Sequence, residues 1–361
     1  MAFGAFENVE IKGICAAVPC NVVETDSYEG KFGASTIKKF KKMVGVIKRP
    51  VALAKQTASD FCYVAANKLI DHLGWERASI DALIFVTQSP DYFQPATACV
   101  LQYRLELSEE CLAFDINLGC SGYIYGMYTA CSLIQGGIKR VLLLTGEAGK
   151  KNISDDDKST AMLFGDAGTV TALEAINISS RKMNFLLRTG GSGFKYLIIP
   201  AGAARNPNGS HEPSDWGEGI IRNDFQGYMN GTEVFNFSID KPVKAHFDFF
   251  NKFKLNIDDI DLFVFHQANK FIIDCIAQRL DFSVEKIPIS IDRFGNTSSA
   301  SIPLTIVDAC TGITDRNLKM VLNAFGVGLS WGVMNIEINT DICLPIIYTD
   351  DYFREGALER V

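Results

Sequence analysis

The chain has 361 residues, of which 47% are hydrophobic and 21% charged, and its net charge is -7. That length exceeds what one hydrophobic core usually supports, so two domains or two fused halves are expected. The acidic balance disfavours general binding to nucleic acid or to an anionic membrane, because both require a basic surface.

The cysteines and the first residues indicate a compartment. Ten cysteines are scattered without a Cys-x-x-Cys pair or a His/Cys cluster at zinc spacing, which disfavours a metal site and a disulfide framework. Residues 1–10 contain no basic segment followed by an apolar one, so no secretory signal is predicted. We therefore expect a reducing cytoplasm, no metal and no permanently bound cofactor.

The first half of the chain alternates predicted strands and helices. Runs of branched and aromatic residues predict the strands, and apolar residues at helical period predict the helices. The alternation indicates a covered, mostly parallel α/β core. Strands are predicted over residues 9–18, 80–87, 111–116, 140–145 and 169–175, and helices over residues 57–73 and 96–105.

A polar, helical excursion is predicted over residues 25–49. Between residues 38 and 49 it contains six basic residues on an otherwise acidic chain. They form either a solvated helix face or a dock for an anionic partner, such as the phosphates of coenzyme A or an acidic carrier protein, and spacing alone does not decide. The six are Lys38, Lys39, Lys41, Lys42, Lys48 and Arg49.

Cys120 lies in the segment around which the chain is organised, residues 113–126. A buried strand, a turn at Gly119 and a new helix are predicted there. A helix start favours a thiolate and can lower the pKa of a cysteine, which makes Cys120 a candidate nucleophile. The alternative is that Cys120 is a small buried hydrophobe, as free cysteines usually are. The uncharged residues that follow contain enough polar side chains and glycines to indicate a buried core helix and not a membrane span.

The second half repeats this scheme. A strand over residues 261–265, a helix over 271–280, a strand over 287–291, a glycine turn and a helix of small residues follow a long helix over 231–253. We interpret this as a duplicated fold whose two halves pack together. Cys120 and Asn296 then occupy equivalent turns.

Two more polar residues follow predicted strands. His266 lies at the C-terminal end of its strand, where open α/β sheets place their sites, although a histidine there can also be structural. Asn296 follows a strand and a glycine, and its amide either points into a cleft or caps a helix. Cys, His and Asn together indicate nucleophilic catalysis through an acyl-enzyme. Papain-like proteases use that set, but they place the cysteine near the mature terminus in another sequence context, so that reading is weak.

From residue 9 to residue 338 the chain resembles β-ketoacyl-acyl-carrier-protein synthase III, a thiolase-fold condensing enzyme. Five motifs in family order carry the resemblance. They are Gly119-Cys120-Ser121-Gly122, Phe164-Gly165-Asp166-Ala167-Gly168, His266-Gln267-Ala268-Asn269, the run from Gly295 to Pro303, and Ala324-Phe325-Gly326-Val327-Gly328 before Trp331-Gly332.

The resemblance implies a thiolase-like duplicated fold with a layered α-β-α-β-α core, mixed and mostly parallel sheets, and halves at residues 1–177 and 178–361. It also implies that Cys120 takes an acyl group from acyl-coenzyme A, with the backbone N–H groups of Cys120 and Val327 as the oxyanion hole. His266 and Asn296 would then stabilise the enolate formed when malonyl-carrier protein loses carbon dioxide. Substrate contacts are implied at Lys158, Met162, Thr232, Gln267, Asn269, Lys270 and Phe325.

Four departures affect substrate choice. Residues 31–49 lack the family's adenine-stacking tryptophan, and the arginine expected after the His-Gln-Ala-Asn motif is Phe271, beside Lys270. The oxyanion turn, which has three glycines in the family, reads Gly326-Val327-Gly328 here. At the position of the family's phenylalanine that closes the acyl pocket across the dimer, this chain has Gln94, with Phe93 adjacent. A homodimer is expected, because residues 92–105 are too apolar for an exposed helix.

Two other functions stay open at this point. A relative could keep the acyl-enzyme on Cys120 but pass the acyl group to a hydroxyl or amine of a small metabolite or sugar. An inactive scaffold is disfavoured because Cys120, His266 and Asn296 are all present. Release of carbon dioxide from a malonyl thioester separates condensation from simple acyl transfer.

Overall fold

The computed structural model describes residues 2–177, 182–217 and 219–356. Within those ranges, no helix combines the length and the apolar character needed to cross a bilayer. The predicted boundary between residues 177 and 178 lies at the edge of a stretch outside the described residues and stays a prediction.

The strands are β1 Ala2–Phe6, β2 Val9–Pro19, β3 Val22–Glu24, β4 Lys48–Pro50, β5 Ala82–Val86, β6 Leu112–Ile116, β7 Arg140–Glu147, β8 Ala167–Ala175, β9 Met183–Thr189, β10 Leu197–Ile198, β11 Ser214–Asp215, β12 Ile221–Arg222, β13 Tyr228–Met229, β14 Leu262–Phe265, β15 Asn317–Gly326, β16 Ser330–Asn339 and β17 Ile347–Thr349. The helices are α1 Glu29–Phe32, α2 Ala34–Val44, α3 Ala58–Leu73, α4 Thr97–Arg104, α5 Gly122–Gln135, α6 Gly231–Phe253, α7 Lys270–Leu280, α8 Ile291–Phe294 and α9 Ser301–Cys310.

Two large sheets form the body of the molecule. One has the order β17-β2-β8-β7-β5-β6 and the other the order β1-β9-β16-β15-β14. Parallel pairs join β5 to β6 and β7, β2 to β17, and β14 to β15, and the other neighbours in these two sheets are antiparallel. The sheets are therefore mixed, as expected, but antiparallel pairs are at least as common as parallel ones.

Helices α5 and α9 lie between the two sheets. Met127 of α5 and Leu304 of α9 belong to one buried cluster with Ile11 of the first sheet and Leu322 of the second. The outer faces are covered separately, by α3 on the first sheet and by α6 and α7 on the second. This gives the predicted α-β-α-β-α layers, and it explains why α5 carries no charge.

The sequence patterns located most elements around the site. Helix α6 has the predicted bounds, and α3 begins one residue later than predicted because Thr57 and Asp60 form a capping box. Strands β1, β9, β16 and β17 were not predicted. The strand predicted over residues 287–291 is wrong, because residues 287–290 do not form a strand and Ile291 begins the short helix α8.

Candidate active site

Cys120 lies in the turn between strand β6 and helix α5, as predicted. Helix α5 begins at Gly122 with Ser121 as its N-cap, so the cysteine precedes the first turn. The turn is closed by a hydrogen bond of 2.7 Å from the Gly122 N–H to the Gly119 carbonyl. Only 8% of Cys120 is exposed.

The ionisation of Cys120 is opposite to the prediction. Burial raises the pKa of its thiol to about 11. Hydrogen bonds from the Ser298 hydroxyl and the Val327 backbone lower the pKa, and the charge of Glu147 raises it. Desolvation of a thiolate therefore outweighs the dipole of a helix that begins two residues later. The resting sulfur is a neutral thiol.

We expect the rate at which iodoacetamide alkylates Cys120 to rise about tenfold per pH unit between about pH 7 and pH 10. The thiolate is the reactive form, and its fraction grows tenfold per unit below the pKa. Peptide mass spectrometry would follow Cys120 beside Cys99, which is exposed. A rate that has already levelled off at pH 7 would instead show an ionised sulfur.

The predicted oxyanion turn, Gly326-Val327-Gly328, packs directly against Cys120. A Cβ at Gly326 would lie 2.4 Å from the Cys120 Cβ and 3.0 Å from its Sγ. Real Cβ atoms do not approach this closely, so glycine is required at residue 326 to keep the turn and the sulfur in contact.

Gly326→Ala is therefore expected to reduce acylation of Cys120 by about 10²-fold, the cost of a misplacement near 1 Å. Gly191→Ala is the matched control, because a Cβ at Gly191 meets nothing within 4 Å. The acylation rate would be measured by intact mass against time. Equal rates in the two variants would contradict the packing argument.

His266 follows strand β14, as predicted, and is buried. Its Nδ1 lies 2.7 Å from the Ser301 hydroxyl at the start of α9, and its ring meets Phe325 edge-on. Burial lowers the pKa of His266 to about 3, although a hydrogen bond with the Ser298 backbone opposes this. The imidazole is therefore neutral at physiological pH.

Asn296 is held by the Phe164-Gly165-Asp166 segment. Its N–H donates to the Leu163 carbonyl at 2.9 Å, and its carbonyl accepts from the Gly165 N–H at 3.2 Å. Its side-chain Oδ1 accepts from the Ser298 N–H at 2.9 Å. The amide orientation is thus fixed, and Nδ2 is left to donate elsewhere.

Ser298 contacts all three predicted catalytic residues. Its hydroxyl lies 3.7 Å from the Cys120 Sγ, its N–H binds Asn296, and its backbone interacts with His266. It adopts a left-handed conformation with φ 51°, which is uncommon for a non-glycine residue and typical of functional sites. Ser298 lies in the motif from Gly295 to Pro303, but the sequence predicted no role for it.

Glu147, at the end of strand β7, was also missed. Its carboxylate accepts from the Gln88 N–H at 3.0 Å and from the Ser89 hydroxyl at 2.9 Å. Burial raises its pKa to about 7. It is therefore a buried carboxyl that titrates near neutrality, and its charge acts on Cys120. The sequence feature that could have indicated Glu147 is its position as a charged residue at the end of the apolar strand β7.

The structure gives Gln267 a structural role and not the predicted substrate contact. It is fully buried. Its Nε2 donates to the Phe265 carbonyl at 2.9 Å, and its Oε1 accepts from the Ser290 N–H at 3.0 Å. Both ends of the amide are thus engaged by the backbone. Asn269 caps α7, with its side chain accepting from the Ile272 N–H.

The remaining predicted substrate residues lie in different settings. Lys158 and Thr232 are exposed, Met162 is buried, and Phe325 is buried beside His266. Lys270 is exposed and forms an ion pair of 2.6 Å with Asp274. Within the described ranges, no group of three or more His, Cys, Asp or Glu side chains is placed to hold a metal ion.

The predicted closing residues lie on the loop before helix α4. Phe93 is 89% exposed, and Gln94 is also exposed. An aromatic side chain so exposed in one copy of the chain is available to a neighbouring molecule. The loop lies between β5, which ends at Val86, and α4, which begins at Thr97.

Comparison with known proteins is consistent with this geometry. Residues 114–191 match the family model described as 3-oxoacyl-[acyl-carrier-protein (ACP)] synthase III, and residues 250–338 match its C-terminal model. The beta-ketoacyl-[acyl-carrier-protein] synthase III of Symbiobacterium thermophilum is 34% identical over 91% of this chain and 98% of its own length.

A solved structure agrees over nearly the whole chain. The 3-oxoacyl-(acyl-carrier protein) synthase from Burkholderia xenovorans is 38% identical, with a TM-score of 0.88, covering 96% of this chain and 99% of that one. The synthase III of Staphylococcus saprophyticus is 34% identical over 91% of this chain and 99% of its own length. The chain therefore belongs to the 3-oxoacyl-[acyl-carrier-protein] synthase III family of condensing enzymes.

Proposed function

We propose that Cys120, His266 and Asn296 carry the two half-reactions of this condensing enzyme. The observation that supports this most is the position of Ser298, which joins all three residues through separate groups. A nucleophile, a neutral imidazole and an oriented amide then share one site. Acyl transfer to a hydroxyl or amine is not favoured, because the relatives matched over most of the chain are condensing synthases.

In the first half-reaction the Cys120 sulfur attacks the thioester carbonyl of an acyl-coenzyme A. The carbon-sulfur bond of the substrate breaks, and the thiol proton of Cys120 ends on coenzyme A, so the exchange is neutral overall. The Val327 and Cys120 backbone N–H groups are the proposed oxyanion hole. Both lower the pKa of the sulfur, which supports their pointing toward it. One such donor is typically worth about 3 to 4 kcal/mol.

In the second half-reaction malonyl-carrier protein replaces coenzyme A. Its carboxylate leaves as carbon dioxide, and the electron pair passes to the thioester as an enolate. His266 and Asn296 donate hydrogen bonds to the enolate oxygen. Both side chains are suited to this role, because a neutral imidazole and an amide donate hydrogen bonds and do not titrate near neutrality. The enolate carbon attacks the acyl carbon of the acyl-enzyme, the bond from that carbon to the Cys120 sulfur breaks, and the released thiolate takes a proton from solvent. The product is a β-ketoacyl thioester.

The proposed partners follow from these substrates and from the surface. Acyl-coenzyme A and an acyl carrier protein are the substrates, in a cytoplasmic setting. A homodimer is supported by β6, an edge strand that offers unpaired backbone groups. Three large apolar side chains, Phe93, Tyr103 and Leu112, are exposed near that edge. A monomer by gel filtration would count against the dimer.

The function is tested by supplying acyl-coenzyme A compounds and ¹⁴C-carboxyl-labelled malonyl-carrier protein. We expect a covalent adduct on Cys120, followed by labelled carbon dioxide and a β-ketoacyl product in equal amounts. An adduct on Cys120 without release of carbon dioxide would contradict condensation and support acyl transfer to a hydroxyl or amine. The mass of the adduct identifies the acyl primer.

A further inference from the structure

The last described residues form a segment that extends one edge of the first sheet and then contacts helix α3 and the loop before helix α4. We call residues 343–356 the C-terminal strap. It begins where the Leu344 N–H donates to the Ile14 carbonyl at 2.9 Å, and its strand β17 extends the sheet beside β2. The C-terminal family model ends before it, at residue 338.

Beyond β17 the strap covers a buried ion pair. Arg104 Nη2 lies 2.9 Å from Asp60 Oδ1, and both side chains are nearly inaccessible. The Phe353 N–H donates to the same Asp60 oxygen at 2.9 Å. The Phe353 ring lies against the Arg104 guanidinium at 4.5 Å, and Tyr63 lies at the same distance from it. Phe353 is thus part of the shell that desolvates this pair.

The same ion pair extends to the loop that carries Phe93 and Gln94. We call residues 91–95 the gate loop. Arg104 Nη1 donates to the Ser59 hydroxyl at 3.0 Å, and that hydroxyl donates to Asp91 Oδ2 at 2.7 Å. Through this chain of three contacts, the position of Phe353 is linked to the first residue of the gate loop.

The strap also touches the gate loop directly. The Tyr92 hydroxyl donates to the Gly356 carbonyl. The next two side chains, Phe93 and Gln94, are exposed, so within this chain the gate loop is fixed mainly through Asp91 and Tyr92. Tyr92 contacts the C-terminal strap directly, and Asp91 is linked to it through Ser59 and Arg104.

We propose that the C-terminal strap positions the gate loop and so sets which acyl chain lengths the enzyme accepts. The inference rests on the proposed function and on the expectation from the family resemblance that Phe93 and Gln94 close the acyl pocket across the dimer. Phe353 and Tyr92 are positioning residues that act through the loop and do not touch the acyl group. A strap that releases the loop enlarges the pocket and admits longer acyl-coenzyme A substrates.

The test compares Phe353→Ala and Tyr92→Phe with the wild-type chain. Tyr348→Ala is the matched control, because Tyr348 is an exposed aromatic residue of the same strap, on β17. Each variant receives acetyl-, butyryl-, hexanoyl- and octanoyl-coenzyme A, and acylation of Cys120 is measured as kcat/KM by mass spectrometry. We expect the octanoyl-to-acetyl ratio to rise about tenfold or more in both Phe353→Ala and Tyr92→Phe, as pocket contacts of a few methylenes allow. The control should keep the wild-type ratio.

The outcomes separate the two levels of inference. An unchanged ratio in Tyr92→Phe, which removes one hydroxyl and should fold, overturns the proposal even if Phe353→Ala is unstable. If Gln94→Ala shifts the ratio while neither Phe353→Ala nor Tyr92→Phe does, Gln94 closes the pocket and the strap is only structural. If Gln94→Ala and Phe93→Ala also leave the ratio unchanged, the assignment of the gate fails. Absence of any Cys120 adduct in the wild-type chain would contradict the proposed function itself.

Discussion

Cys120→Ser is expected to lose the acyl-enzyme and to reduce formation of the β-ketoacyl product by about 10⁴-fold or more, as removal of a covalent nucleophile does. The thiol of Cys120 already has a pKa of about 11 in its buried position. A serine hydroxyl in the same place is a far weaker acid and cannot supply the nucleophile. Intact mass after exposure to acyl-coenzyme A measures the adduct, and product assays measure turnover.

The control for this loss is Cys20→Ser. Cys20 is exposed directly after strand β2, outside the expected dimer interface, so its replacement should leave both the adduct and turnover near wild-type values. The chain has ten cysteines, and an adduct that persists in Cys120→Ser but disappears in another cysteine variant would assign the nucleophile elsewhere. Unchanged thermal unfolding of Cys120→Ser would show that the loss is chemical.

The sequence predicted where the candidate nucleophile Cys120 lies but not its protonation state. The position followed from local patterns, because a strand, a glycine turn and an uncharged helix follow one another between residues 112 and 135. The strand is half-buried at the edge of its sheet and not fully buried as predicted. The pKa depends on how completely distant segments exclude water from the sulfur, and on a carboxyl group from strand β7. Those are tertiary properties, which no local pattern of residues around Cys120 expresses.

The false strand over residues 287–291 has a similar cause. Isoleucines alternate at Ile287, Ile289 and Ile291, which is typical of a strand. In the structure, the Gln267 side chain accepts from the Ser290 and Ile291 N–H groups, and no neighbouring strand does. The Gln267 side chain thus binds the backbone N–H groups that a neighbouring strand would otherwise bind. It holds this segment shortly before Asn296.

Two of the missed strands have partners far along the chain. Strand β1 pairs with β9, and β17 pairs with β2, so neither end of the chain carries a local hairpin signal. Each chain end completes the sheet that is formed mainly by the other half. The role of Ser298 was missed for another reason. It depends on a left-handed backbone conformation, which a serine in the sequence does not predict.

Asn296→Ala and His266→Ala are each expected to slow decarboxylation of the malonyl thioester by about 10² to 10³-fold, the usual loss for one hydrogen-bond donor to a developing oxyanion. Acylation of Cys120 should fall by no more than about tenfold, because the oxyanion donors of that step are proposed to be backbone groups. Labelled carbon dioxide and intact mass report the two half-reactions separately.

Asn296→Asp sharpens this test, because it preserves size and the acceptor that binds the Ser298 N–H at 2.9 Å, while the donor is lost. A carboxylate facing an enolate is repulsive, so decarboxylation should be no faster than in Asn296→Ala although the local fold is kept. If the aspartate variant retained most of the wild-type rate, Asn296 would be only a structural link to Ser298. Loss of acylation and decarboxylation together would instead indicate that Asn296 acts by placing Ser298 against the Cys120 sulfur.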